Sequence, residues 1–381
     1  MDMETTDIVI VGAGPAGLAT AIGLAQHGLR FVILDSLAAI EHTSRAVVIH
    51  AATLDALQTL GVTDRLIAQG LKLRHVQICD RDRTLVEVDF DGLDTPHPFA
   101  LTIPQDETEE ILAARLADLG FSVRRPAKVT SVEQTGSGAE VRYESADGPA
   151  IIACRYVVGA DGERSIVRAS AGIGFPGDVS GSFLLADIHM DWPLGAECSQ
   201  MFASPEGALV VVAMTQARFR VVAPLDDAPS VPSIADVQRL LDQRGPASPA
   251  KVTELLWGSR FRVHHKLADE FFKGPTLLAG DAAHVHSPAG GQGMNLGLRD
   301  AVALAAALAD ALRDGSERSL EHYAATRRAA AYRILQMTGV LTRIVTLKNG
   351  LALRLRNCLI RFAMQWPGLR RRLASTIAGF R

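Results

Sequence analysis

The chain has 381 residues, of which 48% are hydrophobic and 21% are charged, and this composition indicates a globular protein and excludes a disordered chain. Its formal net charge of -3 at pH 7 argues against nucleic acid as a partner. Four scattered cysteines, without a Cys-x-x-Cys pair, argue against a disulfide framework and a zinc-ribbon site.

The N-terminus carries three acidic residues, Asp2, Glu4 and Asp7, ahead of its first apolar run. A secretory signal needs a positively charged start and a longer apolar segment. No apolar run of the sequence reaches the roughly 18 residues that a membrane span requires. We therefore expect a cytoplasmic protein.

The first 35 residues predict a βαβ unit. The β-branched run "DIVIV" (7–11) is typical of a strand and stops at a glycine. Residues 15–28 form an Ala/Leu-rich helical segment, and "RFVILD" (30–35) is typical of a second strand. This order of elements is the one found in mononucleotide-binding folds.

Three glycines of this unit have the spacing G-x-G-x-x-G between the strand and the helix. Gly12 allows a tight turn, Gly14 lets a diphosphate approach the backbone, and Gly17 permits close packing of the helix. The helix N-terminus then faces the diphosphate with unpaired N–H groups. Asp35 ends the second strand, where its carboxylate can accept hydrogen bonds from an adenosine ribose. The sequence therefore predicts a dinucleotide-binding site.

The middle of the chain predicts two insertions into this fold. Residues 74–90 alternate like a half-exposed β-hairpin, and 104–120 have the pattern of an amphipathic helix with an acidic first turn. Residues 127–158 predict a three-stranded meander. The segment 175–261 contains mostly strands, followed by a Pro-rich link and a helix, and predicts a β-rich lid over the nucleotide fold.

Two later apolar strands end in Gly-Asp, at "CRYVVGADG" (154–162) and "PTLLAGDAAH" (275–284). Ligands of an open α/β sheet lie beyond the carboxyl ends of its strands. We therefore expect Asp161 and Asp281 in the same crevice as Gly12, despite the distance between them in the sequence.

The stretch "GDAAHVHSPAGGQGMN" (280–295) allows a metal site, an acid–base site or a cofactor site. The ligand types that a metal would need are Asp281, His284 and His286. A chain that turns after a strand would scatter these side chains, and no further His/carboxylate cluster lies nearby in sequence, so we predict no metal. We instead expect a cofactor site. The backbone N–H groups of Gly293, Met294 and Asn295, at a helix start, could meet the pyrimidine side of a flavin ring, where a reduced flavin carries negative charge.

Three segments together resemble the FAD-dependent single-component aromatic hydroxylases, the family typified by para-hydroxybenzoate hydroxylase. They are the first G-x-G-x-x-G, the central "GADGERSIVR" and the late "GDAAHVHSPAGGQGMN". The resemblance implies an α/β fold with a Rossmann-like FAD-binding domain, interrupted by a β-rich substrate domain and followed by C-terminal helices. We expect the FAD-binding domain at 1–72, 98–174 and 262–345, the substrate domain at 73–97 and 175–261, and the C-terminal helices at 346–381.

The resemblance also implies which residues serve the flavin. Arg45 matches the family arginine that reaches the flavin, and Pro288 would stand over the ring near the reacting face, which makes these two the expected catalytic positions. Gln105 resembles a residue that contacts the ribityl chain, and Val129 is expected beside the adenine. A surface-loop arginine and a plain helix cap are the alternatives for Arg45 and Gln105. The other matching cofactor-binding positions are Gly12, Gly14, Pro15, Ala16, Gly17, Asp35, Asp161, Asp281, Gly291, Gln292, Gly293, Met294 and Asn295.

The activity implied by the resemblance is hydroxylation of a phenolic or polycyclic aromatic substrate, with NAD(P)H and O2, through a C4a-hydroperoxyflavin. Because only one G-x-G-x-x-G lies between a strand and a helix, NAD(P)H is expected to bind transiently. The lid would exclude water, with Phe202, Val212 and Met214 as its expected substrate-lining residues. A quinone-pathway hydroxylase at the membrane and a non-catalytic flavin-binding protein are the alternatives.

The C-terminal segment is strongly basic. Residues 322–381 contain twelve Arg or Lys and no Asp or Glu, interleaved with apolar residues. We expect helices that wrap the FAD-binding domain or pair two subunits in a homodimer. The alternative is a peripheral contact with an anionic membrane, because basic amphipathic helices bind such lipids.

Overall fold

A computed structural model of the chain describes residues 3–41, 46–287, 290–345 and 365–380. The helices are α1 (Pro15–Gln26), α2 (Ala51–Gln58), α3 (Thr63–Gln69), α4 (Gln105–Asp118), α5 (Ile166–Ser170), α6 (Ile234–Arg244), α7 (Gly293–Asp314), α8 (Arg318–Val345) and α9 (Pro367–Ile377), with a 3₁₀ turn at Gly280–Ala282. The first strands are β1 (Glu4–Val11), β2 (Phe31–Leu34), β3 (Val48–Ile49), β4 (Leu71–Leu73), β5 (His75–Asp80), β6 (Arg83–Asp89), β7 (Ala100–Thr102), β8 (Ala127–Thr135) and β9 (Gly138–Ser145). The remaining strands are β10 (Gly148–Gly159), β11 (Gly177–Asp191), β12 (Cys198–Ser204), β13 (Gly207–Ala213), β14 (Arg218–Pro224), β15 (Lys251–Leu267), β16 (Phe272–Lys273), β17 (Thr276–Leu278) and β18 (His284–Val285).

The first sheet has seven strands, with the order β16-β17-β10-β1-β2 and with β9 and β8 continuing from β10. β1 pairs in parallel with β2 and with β10, and β10 pairs in parallel with β17. The carboxyl ends of β1, β10 and β17 therefore meet at one edge of the sheet. This arrangement confirms the predicted βαβ unit and places the two later Gly-Asp strands beside it.

β10 pairs with one neighbour antiparallel and with another in parallel. Its residues 148–154 pair antiparallel with β9, and its residues 152–159 pair in parallel with β1. β9 also pairs antiparallel with β8, so the meander predicted for 127–158 is confirmed. The last four residues of β10, 156–159, are all buried, so both faces of the strand are covered there.

The second sheet has eight strands in the order β18-β15-β11-β14-β13-β12-β5-β6. It combines strands from both predicted insertions. One of its faces packs on a separate apolar core that includes residues of α6, such as Val237 and Leu240. The other face is turned towards the first sheet and lines a cavity.

The longest strand of the second sheet, β15, was not predicted from the sequence. It pairs with β11 over most of its length and runs to Leu267, past the expected domain boundary at 261/262. Most of its residues are exposed or half-buried on both faces. Because so few of its residues are buried, β15 lacks the alternation of apolar and polar residues that identifies a strand in a sequence.

Close helix packing brings two helix N-termini together at the edge of the first sheet. A Cβ atom on Gly23 of α1 would lie 2.5 Å from the Cβ of Ala305 in α7, so only glycine permits this approach. A Cβ on Gly297, near the start of α7, would lie 3.1 Å from the Cα of Gly280 and 3.6 Å from the Cβ of Ala16. The starts of α1 and α7 therefore lie side by side.

Candidate cofactor and substrate site

A cavity of about 1000 Å³ lies between the first and the second sheet. Its polar wall, at the edge of the first sheet, includes Gly12, Ala13, Gly14, Asp35, Gln105, Glu109, Arg125, Asp161, Asp281, Gly290, Gly291 and Gly293. Its apolar wall, on the second sheet, includes Val76, Ile78, Val88, Phe90, Phe183, Leu185, Met201, Val210, Val212 and Val222. The cavity therefore joins a polar end to an apolar end.

The G-x-G-x-x-G turn forms one part of the polar wall. Gly12 has a φ of 98°, and a Cβ there would lie 2.3 Å from the carbonyl oxygen of Ala160, at the end of the neighbouring strand β10. A Cβ on Gly17 would lie 1.9 Å from the carbonyl oxygen of Gly12. Gly14, in contrast, has open space at this position and faces the cavity. Two glycines thus permit the turn, and the third leaves room for a ligand.

The start of α1 presents its backbone to this space. α1 begins at Pro15, which has no N–H group, and Ala16 lines the cavity beside it. Among the described residues, no side chain caps this helix start. The first N–H groups of a helix lack internal partners and carry partial positive charge, so a diphosphate can bind here.

Asp35 follows β2, contacts the glycine turn and lines the end of the cavity where an adenosine is expected. Its Oδ2 accepts a hydrogen bond from Ala13 N at 2.6 Å, and its Oδ1 accepts one from Leu37 N at 2.8 Å. The guanidinium of Arg125 lies 3.3 Å from Oδ1. Val129 of β8 lines the same end of the cavity, in the region expected for the adenine. Arg125 was not singled out by the sequence, because no motif marks it.

Gln105 is the first residue of α4 and lines the cavity. Its Oε1 accepts a hydrogen bond from Ala46 N at 3.3 Å, and its Nε2 donates to Glu109 Oε1 at 2.9 Å. Burial raises the pKa of Glu109.

Arg45 lies outside the described residues, as does Pro288, so their expected roles remain predictions.

Two aspartates follow the strands whose carboxyl ends meet. Asp161, after β10, accepts hydrogen bonds through Oδ2 from Ile166 N at 2.7 Å and Val167 N at 3.3 Å. Its Oδ1 is buried and has no hydrogen-bond partner among the described residues, and burial raises the pKa of this carboxyl. Asp281, after β17, is exposed and also lines the cavity. Both carboxylates can accept hydrogen bonds from hydroxyl groups of a cofactor.

The start of α7 lies beside that of α1 and follows a turn of two glycines. Gly290 and Gly291 have φ values of 86° and 61°, which side chains rarely adopt. No described side chain caps the first helical residue, Gly293, so the N–H groups of the first turn can face a ligand. Gly293 and Met294 line the cavity. This geometry suits the anionic side of a reduced flavin ring.

Asn295 has a different position from its two neighbours, because its side chain joins α7 to the segment at 48–50. Its Oδ1 accepts a hydrogen bond from His50 N at 2.8 Å. Its Nδ2 donates to the carbonyl oxygens of Val48 at 2.8 Å and Gly291 at 2.7 Å. Its side chain therefore holds the helix start in place.

Three buried histidines, His50, His284 and His286, line the cavity. Burial lowers the pKa of His50 and of His286 to about 4, so both are neutral at pH 7. His284 Nε2 lies 2.5 Å from Asp300 Oδ2, and Arg327 Nε donates to Asp300 Oδ1 at 2.6 Å. Burial acts to raise the pKa of Asp300, but these two partners shift it downwards overall.

The metal alternative depended on His284 and His286 converging with Asp281. Within the described parts of the chain, no group of three or more His, Cys, Asp or Glu side chains could hold a metal ion. His284 is instead paired with Asp300, and His286 Nδ1 lies 3.0 Å from the carbonyl oxygen of Ser287.

Of the three expected substrate-lining residues, Val212 lines the cavity, on β13. Phe202, on β12, points to the opposite face of the second sheet, where its ring lies 5.9 Å from that of Trp192. Its neighbour Met201 faces the cavity instead. Met214 is buried in the apolar cluster beside Val212 and is not part of the cavity wall. The expectation for Phe202 and Met214 is thus corrected.

The observed donors and acceptors fit FAD. Two uncapped helix starts meet at the cavity, a glycine position is open towards it, and a buried carboxylate oxygen of Asp161 has no described partner. The start of α1 and the open Gly14 suit a diphosphate, the start of α7 suits a flavin ring, and the Asp161 oxygen suits a polyhydroxyl chain.

Comparison with known proteins identifies the family. The family model described as an FAD binding domain matches residues 5–338, which is most of the chain. The chain belongs to this FAD-binding family. FAD is therefore the cofactor of this chain.

Several relatives of this FAD-binding protein are named as monooxygenases or hydroxylases. The 6-methylpretetramide 4-monooxygenase of Streptomyces rimosus is 35% identical over 363 residues, covering 92% of this chain and 64% of the relative. The chain therefore spans less than two thirds of that relative's length. The solved structure of anhydrotetracycline hydroxylase from Streptomyces rimosus has a TM-score of 0.82 and 32% identity, covering 98% of this chain and 76% of that one. The p-nitrophenol 4-monooxygenase of Pseudomonas putida DLL-E4 has a TM-score of 0.88 and 26% identity, covering 99% and 98%.

Proposed function

We propose that this protein is an FAD-dependent monooxygenase that uses NAD(P)H and O2 to hydroxylate a phenolic or polycyclic aromatic substrate. The observation that carries this proposal is the continuity of the cavity. The same space of about 1000 Å³ contacts the dinucleotide turn and the apolar face of the second sheet. An aromatic molecule on that face can therefore meet a flavin ring at the start of α7 without crossing bulk water.

The residues around the cavity would bind, orient and shield. The starts of α1 and α7 offer backbone N–H groups to the diphosphate and to the pyrimidine side of the flavin. When bound, FAD supplies the hydride acceptance and the oxygen activation that protein side chains cannot supply. The apolar wall, which includes Val76, Val210 and Val212, would exclude water from the reacting atoms.

Two histidines of the cavity wall are neutral at pH 7. The pKa of His50 and of His286 is lowered to about 4 by burial, so neither ring adds positive charge to the cavity at pH 7. Each ring has one buried nitrogen without a hydrogen-bond partner among the described residues. We assign neither ring as a catalytic base, because such a low pKa makes it a weak base at neutral pH.

Arg45 and Pro288 are proposed to act at the flavin. Their chain neighbours Ala46 and Ser287 line the cavity, which supports this proposal. We expect Arg45→Ala to slow flavin reduction by NAD(P)H more than it weakens FAD binding. Arg30→Ala, at an arginine whose side chain is 75% exposed, is the matched control. Equal rates of reduction in Arg45→Ala and wild type would remove this role.

The proposed activity is tested on purified protein loaded with its cofactor. The protein should release FAD, and not FMN, on denaturation. NAD(P)H oxidation should rise when a panel of phenols with one to four rings is added, and one atom from labelled O2 should enter the product. Label from water would contradict a monooxygenase. A flavin that no member of the panel brings to reduction would favour a non-catalytic flavin-binding protein.

We also propose that the exposed side chains of α9 and its start contact an anionic membrane surface. Arg370, Arg371 and Arg372 are exposed on this helix, and so are Leu369 in its first turn, with 45% exposure, and Trp366 just before it, with 62% exposure. Basic side chains with interleaved aromatic and aliphatic groups bind anionic lipid headgroups in a salt-dependent manner. In the described part of the chain, no helix is long and apolar enough to cross a bilayer, so the proposed contact is peripheral.

Flotation with phosphatidylserine vesicles tests the membrane contact. We expect co-migration at low salt, loss of co-migration at high salt, and loss of it in a variant with all three arginines replaced by Gln. Vesicles of phosphatidylcholine alone are the control. No flotation at low salt, together with a dimer in sedimentation that the Trp366→Ser variant dissociates, would show that these side chains instead pair two subunits.

A further inference from the structure

The helix α9 forms part of the cavity wall although it is more than 50 residues beyond α7 in the sequence. Leu373, Thr376 and Ile377 line the cavity. Their spacing of three, one and four residues places them on one face of a helix. Leu373 and Ile377 also pack on the apolar cluster that contains Phe90 and Val212 of the second sheet. The inner face of α9 thus closes the apolar end of the cavity.

The C-terminal end of α9 is clamped to elements around the flavin site. Carbonyl groups at a helix C-terminus lack partners within the helix. Here three consecutive carbonyl groups, at 377–379, each accept a hydrogen bond from another segment. The carbonyl of residue 377 accepts from Gln292 Nε2 at 3.1 Å, and that of residue 378 accepts from Ala52 N at 3.1 Å. The carbonyl of residue 379 accepts from a guanidinium nitrogen of Arg299 at 2.5 Å. Gln292 immediately precedes α7, so the clamp reaches the helix start that faces the flavin.

Two further features make this clamp specific. Gly379 has a φ of 85°, and a Cβ there would lie 3.5 Å from Ala52 Cβ, in contact with the segment that donates to the clamp. Arg299 is placed at the C-terminal end of α9, where the helix dipole is negative and favours a cation. A loosely attached tail would need neither the left-handed glycine nor a half-buried arginine at its carbonyl groups.

We infer that α9 is a substrate-selecting wall, in which Leu373 and Ile377 set the size of the aromatic ring system that the cavity admits. The inference rests on the proposed function, from which it takes the class of substrate, an aromatic ring system. Because Gln292 connects Ile377 to the start of α7, the wall is fixed relative to the flavin-facing helix. A ring system that contacts Ile377 is therefore positioned against the same element that holds the cofactor.

The test compares two substitutions one helical turn apart on α9. Leu373→Trp adds volume inside the cavity, whereas Leu369→Trp adds the same group at an exposed position outside the cavity. Affinities for phenols with one, two, three and four fused rings are measured by equilibrium dialysis on the FAD-loaded protein. We expect Leu373→Trp to lose about tenfold or more in affinity for three- and four-ring phenols, while one-ring phenols change by about twofold or less. Leu369→Trp should match the wild type throughout.

A second variant and a second measurement guard against misfolding. Ile377→Ala enlarges the cavity, and we expect it to keep its FAD and to release a several-fold larger fraction of reducing equivalents as hydrogen peroxide during turnover. Amide hydrogen exchange of residues 367–380 should slow when a three-ring phenol binds to the wild type. Thermal unfolding and FAD content are recorded for every variant.

The outcomes separate this inference from the proposed function. Dialysis and hydrogen exchange need no turnover, so they report on the wall even if no product is formed. Size preferences that are unchanged by Leu373→Trp, or exchange at 367–380 that does not respond to a bound phenol, would overturn the inference while hydroxylation stands. A wild type that binds no phenol of the panel would overturn both.

Discussion

Lowering the pH is expected to destabilise this protein through two histidines of the cavity wall. His50 and His286 are buried, with 4% and 6% of their surface exposed. Burial is the largest cause of their lowered pKa, which falls from 6.5 to about 4 in each case. Hydrogen bonds to the backbone at Gly290 and Ser287 oppose the shift without cancelling it.

The sign and size of the effect follow from these pKa values. In the unfolded chain each imidazole binds a proton near pH 6.5, whereas in the folded protein it does so only near pH 4. The stabilising contribution is therefore present above pH 6.5 and is lost as the pH falls from 6.5 to 4. Each pKa unit corresponds to about 1.4 kcal/mol, so each histidine should cost about 2 kcal/mol of unfolding free energy between pH 7 and pH 5.

Urea unfolding at pH 7, 6 and 5, in saturating FAD, measures this loss. His50→Gln and His286→Gln should each make the decline from pH 7 to pH 5 smaller by about 2 kcal/mol than in the wild type, whatever their stability at pH 7. His322→Gln, at an exposed position on α8, is the control and should keep the wild-type decline. If neither cavity variant changes the decline, the argument from burial is wrong.

Three further substitutions test the packing and the charges of the site. Gly12→Ala places a Cβ 2.3 Å from the oxygen of Ala160 at a φ of 98°, so FAD content and unfolding free energy should both fall. Gly14→Ala has open space, so the apo protein should unfold within about 0.5 kcal/mol of the wild type while the Kd for FAD, from fluorescence quenching, rises about tenfold or more. Arg220→Met removes the bidentate partner of the buried Asp187 and should lower the unfolding free energy, measured in urea, by about 3 kcal/mol or more. Adding Asp187→Leu should recover most of this loss, and no recovery would refute the ion-pair account.

The sequence predicted the glycine turn and the meeting of the strand ends, because both follow rules that act over short distances. The G-x-G-x-x-G turn needs glycines at set positions, and a Cβ at Gly12 or Gly17 would indeed collide with backbone atoms. Parallel strands bring their carboxyl ends together, which places Asp161 and Asp281 beside that turn in the fold. Neither prediction required knowledge of long-range packing.

The substrate end was harder to predict because the face to which a strand residue points depends on the parity of its position. In "CSQMFAS" both Met201 and Phe202 are apolar, so the alternation of the strand does not show which one faces the cavity. Phe202 packs in the core behind the second sheet, together with Trp192, whereas Met201 lines the cavity. Sequence patterns indicate burial in both cases, but only the assembled sheets distinguish the two apolar spaces.

The start of α7 owes its position to several distant segments, and this explains why its motif alone could not define the site. Asn295 connects it to the segment at 48–50, and Gln292 connects it to the end of α9. A helix N-terminus stabilises negative charge mainly within its first turn, so a small displacement of α7 would remove most of that stabilisation. The motif supplies the N–H groups, and the elements from residues 48–50 and 377–379 hold them in register with the cavity. We therefore expect substitutions that loosen either connection to alter the reactivity of the bound flavin without contacting it.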